Sequence, residues 1–179
     1  MTVEYPESNC LDEALETLLD RVVEHASRRG FRASKEGVKS GIGFSVETPY
    51  LVAEGMVARG MLDRDGCRFS VSSTGDSFLQ RTVEIAFLIR GESLFPEFDR
   101  GRLIGAVIYA LYDWSNTKRG EEMLLDASRV LETLKRLREE NPDAFRLAAV
   151  TLPRLYYEDC RYTPTKLLQE ILEVTRGKQ

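Results

Sequence analysis

The chain has 179 residues, of which 42% are hydrophobic and 30% charged, with a formal net charge of −4. That size and balance fit one compact domain, or a module of ~80 residues with a helical extension, and exclude a disordered chain. The longest apolar run, Leu103 to Leu111, is nine residues, against the ~20 of a membrane helix, so no membrane contact is expected.

The start of the chain is crowded with acids (Glu4, Glu7, Asp12, Glu13 and Glu16) and reads as no signal segment, so the expected location is cytoplasmic. Cys10, Cys67, Cys160 and the single histidine, His25, sit at spacings that suit no zinc site; no metal or cofactor is expected, and the cysteines read as free thiols. His25 reads as a partner for its helix dipole. The acidic balance argues against a protein that grips nucleic acid over its whole surface, but Arg28, Arg29, Arg32, Lys35 and Lys39 face only Glu36 within residues 28–39.

In chain order, Leu11, Leu15, Leu18, Leu19, Val22, Val23 and Ala26 recur at three- and four-residue spacings. They predict an amphipathic helix over 11–29, capped by Asn9 and stopped by Gly30, with Phe31 dropping into the core. A short helix from Ser34 follows, with Val38 and Ile42 on one face. Gly43 takes the left-handed conformation that reverses the chain and lets Phe44 turn inward. Thr48 as N-cap and Pro49 at the first position start a second helix that runs to Arg59, with Val52 and Met56 on one face and Gly60 at its end. Residues 61–71 read as a hairpin in which Cys67, Phe69 and Val71 face one way and Arg68 and Ser70 the other.

Ser73 and Asp76 form a capping-box-like pair at the start of a long helix that is apolar on more than one face, from Phe78 to Ile89. Gly91 closes it, and 92–100 reads as a loop. In the helix over 101–114, Gly101, Gly105, Ala106 and Ala110 would let another helix approach closely. After a turn at 113–120, Met123, Ala127, Val130, Leu134 and Leu137 follow a 3–4 alternation over 121–140, widened by Leu124 and Leu131. Asn141-Pro142 starts a shorter helix to about Val150. Leu152 to Tyr162 is an irregular aromatic segment, and Thr163-Pro164 starts a last helix.

Helix, glycine turn, helix, Arg59-Gly60 and a hairpin with a basic tip together resemble the winged helix-turn-helix superfamily. The run Val52-Ala53-Glu54-Gly55-Met56-Val57-Ala58-Arg59-Gly60-Met61-Leu62 is similar to MarR-type regulators, over residues ~11 to ~80. The expected fold is therefore mainly α: a winged helix-turn-helix domain over 1–90, then a helical, bundle-like half over 91–179 for dimerisation or sensing. The resemblance implies a DNA-binding transcriptional regulator, with Thr48 to Arg59 as the reading helix on double-stranded DNA. The surplus leucine of 121–140 and the small residues of 101–114 point to a homodimer. Phosphate contacts are expected from Arg32, Lys35 and Lys39 and from Arg64 and Arg68 on the wing. Ser45, Thr48 and Tyr50, with Glu47, Ala53 and Glu54, are expected to face the groove.

The reading helix departs from the family's pattern. No Arg, Lys, Asn or Gln lies between Ser45 and Ala58 to address a purine, and Glu47 and Glu54 repel phosphate. The alternative is a winged-helix subunit or adaptor that meets a protein partner and no nucleic acid. Catalysis is not expected. Gly41-Ile42-Gly43 is too short for a dinucleotide loop, Glu158-Asp159 and Asp99 lack a histidine or metal partner, and Ser72-Ser73-Thr74-Gly75 lacks a base.

Overall fold

Four glycines with positive φ, Gly30, Gly43, Gly60 and Gly66, sit where the first half of the chain changes direction. A computed structural model describes residues 5–43, 45–90, 100–154, 169–171 and 173, the side chains of 5–9 and 151–154 excepted. In order come α1 (Tyr5–Arg28), α2 (Lys35–Gly41), α3 (Thr48–Ala58), β1 (Leu62–Asp65), β2 (Arg68–Val71), α4 (Ser73–Ile89), α5 (Arg100–Trp114), α6 (Gly120–Glu140) and α7 (Pro142–Arg154). The fold is mainly helical with one two-stranded antiparallel sheet, in which Leu62 pairs with Val71 and Asp65 with Arg68. Among the described residues no helix is long and apolar enough to cross a membrane.

Gly43, at φ 86, makes the reversal between α2 and α3, and a Cβ there would strike the Thr48 side chain. Ser34 caps α2 by accepting from the Gly37 N–H at 3.0 Å. Phe31, Val38, Ile42, Val52 and Met56 are buried as their spacing requires. Phe44 and the expected loop over 92–99 lie outside the described residues.

α2 packs most closely on α5, and glycines on both helices make that possible. A Cβ at Gly105 would fall on the Val38 carbonyl, and one at Gly41 on the Arg102 carbonyl. α4 lies chiefly against α6 and α5, while α1 holds α3, α4 and β2. One apolar cluster runs from Ala14 through α4 and α6 to Phe145 and Ile171, so the core continues across residue 90 without a seam. Met123, Ala127, Val130, Leu131, Leu134 and Leu137 are buried within this single chain, each large one contributing about 1.5–3 kcal/mol. The one buried carboxylate in this region, Asp126, accepts from Ser115 Oγ and Lys118 Nζ, both at 2.8 Å, which ties α6 to the turn before it. Asn141 opens α7, its Oδ1 accepting from the Ala144 N–H at 3.3 Å.

Several local expectations are corrected. α1 begins at Tyr5 rather than beside Asn9, because Pro6 is tolerated in a first turn whose N–H groups are orphans anyway. Glu47, without a side-chain cap bond, precedes α3; Thr48 is already helical, and its hydroxyl is taken by Ser45 at 3.0 Å. Ser72 rather than Ser73 caps α4, accepting from the Gly75 N–H. Asp76 does not close a capping box but binds His25 Nε2 at 2.7 Å and Arg21 at 2.9 Å. His25 is thus a buried partner of α4 as well as a residue of the last turn of its own helix.

Cys67 is not on an inward face. It is the second residue of the Gly66-Cys67 turn, where only Gly66 has positive φ, the pattern of a type II′ hairpin. Nor is it a free thiol, since it forms a disulfide with Cys10 of α1. α7 continues to Arg154, four residues past the expected end. Of the aromatic segment only 152–154 fall in the described residues, and of the last helix only 169–171 and 173.

Candidate functional site

α3 presents two unlike sides. Pro49, Val52, Ala53 and Met56 are buried, and Gly55 is covered by the Tyr112 ring, which leaves no room for a Cβ. Glu47, Leu51, Glu54 and Ala58 are all exposed, at the spacing of one helical face. Leu51 is 58% exposed, and Val46, in the turn before the helix, is 82% exposed. The outward stripe is therefore two carboxylates and two apolar side chains. Beside it, between α2 and α3, is a cavity of about 360 Å³ lined by Lys39, Ser40, Ser45, Val46 and Pro49 among others.

The expected nucleic-acid contacts are scattered among different environments. Lys35 is held by Asp20 at 2.9 Å and Glu16 at 3.0 Å, and its ammonium pKa is raised, first by the Asp20 bond and then by Glu16. Lys39 donates to the Tyr50 hydroxyl at 3.1 Å and lies 5.0 Å from that ring. Ser45 and Thr48 share a hydrogen bond, with Ser45 exposed and Thr48 half-buried. Arg64 turns back to the Gly66 carbonyl at 2.8 Å and approaches Phe69. Arg32, before α2, and Arg68, on β2, are exposed, and their side chains carry no polar contact among the described residues. Ala53, expected at the groove, is fully buried, because α3 turns its 49–52–53–56 side to the core.

The far end of α3 is fastened to the second half. The Gly120 N–H donates to the Arg59 carbonyl at 3.2 Å, Arg59 donates to the Asn116 carbonyl, and its guanidinium lies 5.0 Å from the Tyr112 ring. Sequence reasoning missed Val46 and Leu51 as exposed apolar positions. The 47–51–54–58 spacing held that signal, but only once one side of α3 was known to be buried. No known family model, curated protein or solved structure matches the chain.

Proposed function

We propose that the chain is a winged helix-turn-helix protein whose second helix is a protein-docking surface, making it an interaction subunit or adaptor. Support for the fold reading comes from the order α1-α2-α3-β1-β2, with the reversal at Gly43 and the hairpin directly after Gly60. Support for the docking role comes from one observation above all: the outward face of α3 is Glu47, Leu51, Glu54 and Ala58. That face offers no donor pair for a purine edge, and its charge opposes phosphate. Leu51 and Val46 instead expose apolar surface flanked by acids, which suits a partner segment with a large apolar residue between lysines or arginines. Leu131, Leu134 and Leu137 of the α6 stripe that favours a dimer on sequence grounds are buried inside one chain, while Leu125 stays 51% exposed; the partner we assign to the α3 surface is a different protein.

A DNA-binding regulator is the second reading, and exposed Arg32 and Arg68 favour it. One paired experiment separates the two. Captures from native lysate with wild type and with Leu51→Arg should share all but one partner, whose recovery falls by about tenfold in the variant. Labelled duplex DNA should show no preference among sequences that Glu54→Ala alters. Identical captures, or a sequence preference that Glu54→Ala changes, would move the assignment to DNA reading.

A further inference from the structure

The two ends of the Cys10–Cys67 disulfide differ in exposure. Cys10, on α1, is 5% exposed, whereas Cys67, in the two-residue turn of the hairpin, is an exposed residue. Solvent therefore meets the bridge from the Cys67 side, and access decides which sulfur an incoming thiolate attacks. Cys10 also stands apart from the continuous apolar cluster, which begins at Ala14 and does not include it.

The hairpin is held differently at its base and at its tip. At the base Leu62 is buried, the Met61 N–H donates to the Met56 carbonyl at 2.9 Å, and Ser72 donates through its N–H to the Met61 carbonyl at 3.1 Å and through its hydroxyl to the Gly60 carbonyl at 2.8 Å. Half-buried Phe69 and Val71 carry β2 onto the core. Beyond them, residues 63–68 are all exposed. Arg64 turns back to Gly66 and Phe69 of its own hairpin, and among the described residues the side chain of the tip that is bonded to α1 is Cys67. Two short strands and a turn are marginal by themselves, so the bridge is what keeps the tip on α1. Its loss would loosen the tip and leave the base and the core packed.

We propose that this bridge is a thiol–disulfide exchange site, with Cys67 the sulfur attacked and Cys10 the leaving thiol, and that its opening releases the hairpin tip over 63–68 while the helical core stays folded. The co-reactant is a dithiol. One of its thiolates bonds to Cys67 Sγ as the S–S bond breaks, and the electron pair leaves on Cys10 Sγ, which takes a proton from solvent. The second thiol, as thiolate, then attacks the sulfur of its own molecule in the mixed disulfide. Cys67 departs as a thiolate and is protonated, and the co-reactant leaves as its own disulfide, having given up two electrons. An oxidised dithiol drives the same steps backwards and clips the tip to α1 again. The site stands apart from the α3 surface and does not depend on its reading.

The test uses the full chain without denaturant and dithiothreitol as the dithiol. Reduction of the folded protein should proceed within about tenfold of its rate in the urea-unfolded chain. With glutathione in its place and an acid quench, peptide masses should put the mixed disulfide on Cys67 and not on Cys10. Amide hydrogen exchange then reads the release: after reduction the amides of 63–68 should exchange at least about tenfold faster, while α4 and α6 stay protected over the same interval. Cys67→Ser should show the loosened tip with no reductant and no further change when it is added. If that variant does not fold, the reduced wild type carries the comparison. The site is overturned by a bridge that opens only in urea, by a mixed disulfide on Cys10, by tip exchange that reduction leaves unchanged, or by loss of protection in α4 and α6 together with the tip.

Discussion

His25, Arg21 and Asp76 bring together side chains that lie more than fifty residues apart in the chain. The His25–Asp76 hydrogen bond and the Arg21 ion pair join α1 to the first turn of α4. Desolvation opposes ionisation of Asp76, yet His25 and Arg21 hold its carboxyl below the usual carboxylate value. A group whose pKa is depressed on folding adds stability above its unfolded pKa and loses it as pH falls through the folded one. The wild type should therefore weaken below about pH 4, and more steeply than Asp76→Asn, in urea titrations at stepped acid pH; parallel curves would remove the cluster from the acid response. Reading the sequence finds Gly43 and Phe31 because their signals are local, a chain reversal and an apolar residue after a helix stop. It places His25 in the last turn of its helix but misses Asp76, because nothing at either end of that pair marks the other.

At the scale of elements, the contact between α2 and α5 depends on backbone meeting backbone. Gly105→Val places methyl groups where the Val38 carbonyl stands, and overpacking of this kind costs about 1–3 kcal/mol or more. Thermal unfolding should show a lowered midpoint for Gly105→Val and a far smaller change for Gly30→Ala, where no atom lies within 4 Å of the added Cβ and only the positive φ is strained. Equal losses would mean that the close approach is not what positions α2. The small residues of α5 and the leucine stripe of α6 are legible as patterns, since each repeats with the helical period. The partners are not. A stripe of small residues says that something comes near, and α2 of the same chain lies against its glycines. The outward face of α3 is hidden for a related reason: the helix is apolar on both sides, so periodicity alone does not choose between Ala53 and Leu51.

For the whole molecule, the Cys10–Cys67 disulfide clips the hairpin tip to α1 across a sequence separation of 57. Closing a loop of that length contributes on the order of 2–4 kcal/mol by restricting the unfolded chain. Urea unfolding with and without a dithiol reductant should differ by that amount, and Cys67→Ser should abolish the difference; coincident curves in the wild type would show that the crosslink adds no stability. No spacing rule could have joined these two cysteines, because the pairing follows from how β2 lies on α1. The hydrogen bond from Gly120 to the carbonyl of Arg59 has a broader effect. It joins the end of α3 to the start of α6, so α3 cannot shift without breaking this bond or carrying the corner of the helical half with it.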